Sequence, residues 1–157
     1  MSERHTRYSE TGAETHLVYP VFPRDTNHYH TLFGGMAMSW MDQAAFICAT
    51  RWCRRPVVTV HSGAVDFHEP VPEGSIVDLA AWVKTTGRTS MTVAVEMWVE
   101  PMDQFERTLA CRGEFVLVAL DAQRQPTTVP ALPREPTGGG GEDADAVDQS
   151  LPGESLL

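Results

Sequence analysis

A carboxylate in the middle of an apolar helix is the residue of this sequence best suited to chemistry. The residues three and four positions before and after Asp42 carry no positive charge, so no cation on the same helix can pair with it. Asp42 also lies too far from the helix start to cap it. Because a carboxylate among apolar residues is costly unless a group outside the helix uses it, Asp42 is a candidate catalytic carboxylate. The alternative is a solvated strip that Asp42 shares with Ser39 and Gln43.

The pair Gly34-Gly35 supplies a second chemical component at the start of the same helix. Glycines let a ligand approach the backbone closely, and the first-turn amides of a helix have no intrahelical acceptor. The helix dipole favours negative charge there, including the oxyanion that forms on a carbonyl under attack. A Gly-Gly pair alone is more often a turn, but a pair placed a little over two turns before Asp42 indicates a site for carbonyl chemistry.

One long helix and five strands are predicted to position these residues. Residues 34–52 contain no proline and carry two adjacent apolar rows, which predicts a core helix wrapped on most sides and too polar to span a membrane. Strands are predicted at residues 16–22, 57–67, 76–85, 89–100 and 108–120, with a turn at 86–88. A helix followed by consecutive antiparallel strands gives an α+β domain with the helix packed on one sheet face.

The length and composition of the chain indicate one globular domain. We predict this domain over residues 15–132, with a flexible segment at 1–14 before it and a disordered, acidic, Gly-rich tail at 133–157 after it. The formal net charge of −9 argues against binding to nucleic acid or to an anionic membrane. The N-terminus lacks the apolar core of a signal peptide, so we expect a cytoplasmic protein.

The three cysteines do not form a metal-binding or disulfide pattern. Cys48, Cys53 and Cys111 are odd in number, include no C-x-x-C pair and lie among apolar residues. They are therefore predicted to be free, buried thiols in a reducing compartment.

Six short segments of the chain follow one another in an order that is typical of one protein family. They are residues 25–35 (DTNHYHTLFGG), 39–42 (SWMD), 57–59 (VVT), 65–67 (VDF), 70–74 (PVPEG) and 86–91 (TGRTSM). In this order they resemble the hotdog-fold acyl-CoA thioesterases, in particular the bacterial broad-range acyl-CoA thioesterases and their cytosolic relatives. The resemblance covers roughly residues 17–130. It implies a single hotdog domain, in which an antiparallel β-sheet wraps a long central helix.

The resemblance also implies an active site that two chains share. Gly34, Gly35 and the neighbouring amides would polarise the thioester carbonyl as an oxyanion hole. Asn27 would orient the substrate or the attacking water through its side-chain amide, and a turn or cap is the alternative role for it. Asp42 of the partner chain would act as general base on water or attack directly as a nucleophile.

Coenzyme A needs cations for its phosphates and an apolar channel for the acyl chain. The family's coenzyme-contacting turn corresponds to Gly87, Arg88, Thr89 and Ser90. Further candidate cations follow at the helix end: Arg51, Arg54 and Arg55. Each of these alone is more often a solvated surface charge, so only the turn is assigned to coenzyme A binding.

His30 is the main departure from the family, which usually has Gly at this position. We assign His30 to the substrate site, either as an extra acid–base group or as a pocket wall. His28 and His30 are spaced to point the same way, but no carboxylate or thiol accompanies them at ligand spacing. No metal site is therefore predicted.

The function implied by the resemblance is hydrolysis of an acyl-CoA thioester to a free fatty or other carboxylic acid and coenzyme A. No metal or redox cofactor is expected. We expect a homodimer that assembles further into a tetramer or hexamer. Two alternatives are a non-catalytic acyl-CoA-binding sensor or structural hotdog protein, and a hotdog dehydratase of hydroxyacyl thioesters.

Overall fold

The computed structural model describes residues 14–132. The chain forms one α-helix and five β-strands: β1 (Thr15–Pro20), α1 (Gly34–Cys53), β2 (Val57–Phe67), β3 (Ile76–Thr86), β4 (Ser90–Glu100) and β5 (Thr108–Ala119). The largest deviation from prediction is at β1, which ends before the short 3-10 helix Pro23–Asp25 that redirects the chain. The predicted disordered tail, and all of the predicted flexible N-terminal segment except Glu14, lie outside the described residues.

The strands form one antiparallel sheet in the order β1-β3-β4-β5-β2. The first two strands therefore lie at opposite edges, because β2 pairs with β5 and not with β3, its successor in sequence. The pairing of β2 runs from Val57 opposite Ala119 to Phe67 opposite Cys111, with two register shifts between them. Within residues 14–132 the second edge of β2 has no strand partner.

α1 packs against one face of this sheet and contacts all five strands. Its buried face holds Trp40, Met41 and small residues such as Ala44, Ala45 and Ala49, the last three fully inaccessible to solvent. Small side chains let the helix backbone lie close to the sheet, where large apolar residues of the strands complete the core. On this face, the predicted burial of the apolar rows of the helix is confirmed.

The other side of α1 is open to solvent in the single chain. Met38, Ser39, Gln43 and Phe46 are exposed, with Met38 at 36% and Phe46 at 46%. The prediction that the helix is wrapped on most sides is thus wrong for one chain, because the sheet covers only one face. Among the described residues, no helix combines the length and the hydrophobicity needed to cross a bilayer.

Candidate active site

Asp42 lies on the part of α1 that faces the start of β2. Its Oδ1 atom accepts a hydrogen bond from the hydroxyl of Thr59, with Oγ1 and Oδ1 2.7 Å apart. The Asp42 side chain is half-buried, which is less burial than the sequence suggested. Its other oxygen, Oδ2, has no hydrogen-bond donor among the described residues. The strand therefore fixes one carboxylate oxygen and leaves the second available to take a proton or to attack a carbon.

An open groove of about 450 Å³ runs from the helix start past this carboxylate. Asp42 and Gly35 both line it, together with residues of α1, β2 and β5: Met38, Ser39, Thr59, Val60, His61, Ser62 and Phe115. Its walls are partly polar and partly apolar, a combination suited to a ligand with an acyl group and a polar reacting centre. One long side of the groove is the unpaired edge strand β2.

The start of α1 presents backbone donors without a competing side chain. The residue before the helix, Phe33, makes no side-chain cap, and the first intrahelical bond runs from the Ala37 amide to the Phe33 carbonyl at 2.9 Å. The amides of Gly34, Gly35 and Met36 therefore lack an acceptor within the helix. No other residue approaches within 4 Å of the position where a side chain of Gly35 would begin.

Gly34 borders a second depression, of about 220 Å³, on the other side of the helix start. The Phe67 ring lies 3.7 Å from the position of a Cβ atom at Gly34, and Cys111 contributes to the same depression. The helix start thus lies between two concave surfaces, and Phe67 places the far end of β2 beside it.

Asn27 organises the loop that leads into α1. Its Oδ1 accepts hydrogen bonds from the Tyr29 amide at 2.9 Å, the Thr31 amide at 3.3 Å and the Thr31 hydroxyl at 3.2 Å. The oxygen is therefore fully engaged, and the Nδ2 group is left as a donor without a partner in residues 14–132. Asn27 lines neither of the two concave surfaces in the single chain.

Asp25 is a structural carboxylate that the sequence reasoning did not identify. It is 5% exposed, and its Oδ2 accepts the Phe22 amide at 3.0 Å. It thereby closes the short 3-10 helix from which the Asn27 loop starts. The signal was present in the sequence, because an Asp two residues after a Pro is typical of a first helical turn.

His30 has a backbone φ of 61°, in the left-handed region that favours glycine. Its side chain is exposed and its Nδ1 lies 3.1 Å from Glu73 Oε2. A glycine would adopt this backbone conformation without strain. His30 lines neither concave surface, and the ring of His28 instead contacts Tyr29, with centroids 3.9 Å apart. In residues 14–132, no three His, Cys, Asp or Glu side chains are grouped as metal ligands.

The predicted coenzyme-contacting residues Gly87, Arg88, Thr89 and Ser90 form the turn between β3 and β4, closed by a bond from the Gly87 amide to the Ser90 carbonyl at 2.9 Å. Sheet register relates this turn to Asp42: Thr59 is opposite Leu117, and Leu117 is opposite Met91. Met91 therefore lies in the same row of the sheet as Thr59, on β4, two strands away from β2. Ser90, the last residue of the turn, is the next residue in the chain. The turn does not line the groove of the single chain.

Thr59 is the functional candidate that sequence reasoning missed. It stands in a segment that resembled the family, but its contact with Asp42 depends on the packing of β2 against α1. The sequence alone does not indicate that a Thr among apolar strand residues directs its side chain at a helix.

The three cysteines are free and buried, as predicted. Burial raises the pKa of Cys48 to about 11, and this exceeds the lowering by the Thr15 hydrogen bond and the Arg51 charge. Burial also raises the pKa of Cys111 to about 11. Neither thiol is an active nucleophile near neutral pH.

The sequence matches a known family and named relatives. The thioesterase superfamily matches residues 29–106. An uncharacterized acyl-CoA thioester hydrolase of Bacillus subtilis is 42% identical over 112 residues, which cover 71% of this chain but only 65% of that relative, just under two thirds of its length. An uncharacterized acyl-CoA thioester hydrolase of Zymomonas mobilis is 39% identical over 110 residues, covering 70% of this chain and 74% of the relative.

Solved structures show the same architecture. An acyl-CoA hydrolase of Staphylococcus aureus, in complex with butyryl coenzyme A, coenzyme A and coenzyme A disulfide, has a TM-score of 0.74 and 35% identity, covering 78% of this chain and 74% of that chain. Other structures of the same hydrolase carry alanine in place of an asparagine, a threonine or an aspartate. An apo-hexameric acyl-CoA thioesterase has a TM-score of 0.75 and 34% identity, covering 78% of each chain.

Proposed function

The chain belongs to the thioesterase superfamily, and we propose that it hydrolyses acyl-CoA thioesters to a carboxylic acid and coenzyme A. Its helix and five-strand antiparallel sheet match the single hotdog domain of the acyl-CoA hydrolase structures, as predicted. The observation that carries the proposal is the hydrogen bond from Thr59 to Asp42, which orients a carboxylate in an open groove beside the edge strand β2.

The carboxylate of Asp42 supports two routes for the same overall reaction. As general base, its free oxygen takes a proton from water while the water oxygen attacks the thioester carbon, and the C–S bond then breaks as the coenzyme thiolate leaves and is protonated. As nucleophile, the same oxygen bonds to the carbon and expels the thiolate, and water then hydrolyses the acyl anhydride. Thr59 has the same task in both routes, because it holds the other oxygen.

The charge that develops on the carbonyl oxygen requires separate donors. Gly35 and its neighbours supply backbone amides without a side-chain competitor, and the helix dipole adds to their effect. The Nδ2 group of Asn27 is a further donor, held in place because its own oxygen is occupied by the loop. The alanine variants of the Staphylococcus aureus hydrolase concern the same three residue types as Asn27, Asp42 and Thr59.

One chain alone does not place these groups around a single thioester. Gly35 and Asp42 are seven residues apart on one helix, which is about 10 Å along its axis. A reacting carbonyl needs the attacking group and the oxyanion donors each about 3 Å away. The oxyanion donors facing Asp42 are therefore assigned to the helix start of a second copy.

The unpaired edge of β2 offers the contact for that second copy. Exposed apolar residues lie along it, with Val58 at 43%, Val60 at 57% and Phe67 at 53%. Antiparallel pairing of β2 with its own copy around Ser62, the middle residue of the strand, would set the Phe67 end of one strand against the Thr59 end of the other. Since Phe67 packs beside the start of α1, this pairing would bring the helix start of one chain toward Asp42 of its partner.

The predicted turn Gly87–Ser90 is assigned to coenzyme A, with Arg88 as its cation. Assembly beyond the dimer is supported by the hexameric relative, and the exposed Met38 and Phe46 leave apolar surface for such contacts. His30 is assigned to the shape of the loop and not to the substrate, because its side chain is exposed and paired with Glu73.

The test compares wild type with Asp42→Asn, measuring free thiol released from a panel of short to long acyl-CoAs. We expect wild type to turn over at least one chain length and Asp42→Asn to lose about 10²- to 10⁴-fold in kcat, as for removal of a general base. Light scattering on both proteins controls for assembly. Retention of most activity by the variant would contradict the role of Asp42. Acyl-CoA binding without turnover by wild type would instead indicate a non-catalytic binding protein.

A further inference from the structure

Among the described residues, four exposed arginines form no ion pair. Of the chain's 12 Lys and Arg residues, Arg4, Arg7 and Arg134 lie outside the described residues, which leaves nine. Five of the nine contact a carboxylate, a hydroxyl or an aromatic ring: Arg24, Arg51, Lys84, Arg107 and Arg112. The other four are exposed, and no ion pair or side-chain hydrogen bond is found for them within residues 14–132: Arg54, Arg55, Arg88 and Arg124.

All four lie at the same end of the sheet, which we call the arginine corner. The amide of the residue after β5 donates to the Pro56 carbonyl, next to Arg55, at 2.8 Å. The last amide of β5 donates to the Thr89 carbonyl, next to Arg88, at 3.1 Å. Because β5 separates these segments and strands are about 4.8 Å apart, their backbones lie about 10 Å from each other. Arg124 belongs to the turn that follows β5.

Two of these arginines adopt backbone conformations that side chains disfavour. Arg54 ends α1 with a φ of 52°, and Arg124 has a φ of 60°. Gly or Asn is the usual choice at such positions. The backbone amide of Arg54 closes the end of α1 by donating to the Thr50 carbonyl at 2.7 Å, and the amide of Arg124 donates to the Asp121 carbonyl at 3.0 Å. The two backbones are thus held by internal hydrogen bonds, whereas neither guanidinium has an ion pair or side-chain hydrogen bond within the described residues. Both charges therefore stay available to a ligand.

The Asp121 carboxylate offsets only one of the four positive charges in the corner. Asp121 accepts the amides of Gln123 and Gln125 at 2.8 and 2.9 Å and is thereby engaged in its own turn. The corner is therefore locally cationic, although the whole chain has a formal charge of −9. Guanidinium groups bind phosphate oxygens in paired hydrogen bonds, so the fitting ligand is a phosphorylated one.

The position of the corner matches the reach of the proposed substrate. Arg55 precedes β2 by two residues and Thr59 by four, so their backbones are at most about 13 Å apart along the chain. The pantetheine arm that joins the thiol of coenzyme A to its diphosphate is a chain of about a dozen bonds, close in length to four extended residues. A thioester at Asp42 would thus present the nucleotide phosphates to this end of the sheet.

Building on the proposed function, we infer that Arg54, Arg55 and Arg124 join Arg88 in binding the phosphates of coenzyme A, the 3′-phosphate included. Arg51 is not part of this set, because its guanidinium donates to the Thr15 hydroxyl at 3.3 Å. The corner makes the enzyme select thioesters of coenzyme A over thioesters that lack the nucleotide.

The test measures kcat and KM for one acyl group carried on coenzyme A, on 3′-dephospho-coenzyme A and on pantetheine. The variants are Arg54→Gln and Arg55→Gln, singly and together, and Lys84→Gln is the control because it removes one exposed cation from the same sheet. For the double variant we expect KM on the acyl-CoA to rise about tenfold or more, with kcat within about twofold. The rise should be smaller on the dephospho form and absent on acyl-pantetheine.

Two outcomes would overturn the inference. One is an equal loss on acyl-CoA and acyl-pantetheine, which would mean that the substitutions disturb the fold or the reacting centre. The other is a double variant that behaves like Lys84→Gln on all three substrates. An affinity of wild type for dephospho-coenzyme A equal to that for coenzyme A would refute the part of the inference that concerns the 3′-phosphate.

Failure of the proposed function would be seen separately. If wild type hydrolyses none of the three substrates, the hydrolase proposal fails, and calorimetric binding of coenzyme A and its dephospho form then decides the inference alone. Loss of that affinity in the double variant but not in Lys84→Gln would still support it. Unchanged affinity would reject it.

Discussion

The two ends of α1 are both suited to negative charge, but by different means. At the start, the donors are uncharged backbone amides in a rigid setting, with the loop before them fixed by Asn27 and Asp25. At the end, the donors are long, exposed and fully charged side chains, Arg54 and Arg55. The difference corresponds to the two kinds of charge in the proposed substrate. An oxyanion forms only during the reaction and needs preorganised donors, whereas phosphates are charged throughout and tolerate mobile ones.

After replacement of Asp42 itself, removing an amide at the helix start should have the largest effect. Gly35→Pro deletes one N–H, and proline is tolerated in a first helical turn. We expect kcat to fall about 10²- to 10³-fold, as for loss of one oxyanion donor, with KM nearly unchanged. Gly35→Ala is the matched control, because it keeps the amide and its Cβ meets no atom within 4 Å. Equal activity of the two variants would remove this amide from the site.

Loss of the Thr59 hydroxyl should have an intermediate effect. Thr59→Val keeps the shape of the side chain but removes the donor to Asp42 Oδ1. We expect a fall in kcat of about tenfold, equivalent to one hydrogen bond to a charged group, while circular dichroism and melting temperature stay close to wild type. Thr59→Ser should restore most of the rate. A Thr59→Ser variant as slow as Thr59→Val would argue for a packing role instead.

Replacing His30 should change stability more than catalysis. Gly adopts the φ of 61° without the strain of a side chain, so His30→Gly should recover some of the roughly 1–2 kcal/mol that left-handed backbone costs. The gain of conformational freedom in the unfolded chain and the loss of the pair with Glu73 reduce it, and we expect a net gain of about 0.5–1 kcal/mol in the free energy of unfolding. Denaturant titration measures this. A large change in kcat would assign His30 to the substrate after all.

The smallest expected effect concerns the two buried thiols that lie between the ends of the domain, which should stay protonated and unreactive near neutral pH. The pKa values of Cys48 and Cys111 are raised from 9.0 to about 11 in the folded chain, so both thiols stay protonated below that range. Their contribution to stability is complete below pH 9 and is lost as the pH rises toward 11, because the unfolded chain ionises first. Titration with a thiol reagent at pH 8 should show these two thiols unreactive until denaturant is added. Fast reaction of either one in the native state would contradict its burial.

The sequence predicted the fold well because its signals were local. The proline-free stretch of α1 and the alternation along β4 each specify one element without reference to the rest. Asp42 and Gly35 could be found for the same reason, since an unpaired charge and a glycine pair are anomalies within one helix.

The parts that could not be predicted depend on distant contacts. Thr59 became a candidate only when packing set it against Asp42, which lies 17 residues away in the chain. The left-handed backbone of His30 follows from the loop as a whole. The arginine corner required the knowledge that the start of β2, the end of β5 and the β3–β4 turn lie at the same end of the sheet.

An edge strand that pairs with its own copy would also have a consequence for inheritance. A cell that carries one gene copy with Asp42→Asn and another with Gly35→Pro would make three kinds of dimer from two inactive proteins. In the mixed dimer both lesions fall in one of the two sites, and the other site combines an intact Asp42 with an intact helix start. Two defective alleles would then restore part of the activity that neither provides alone.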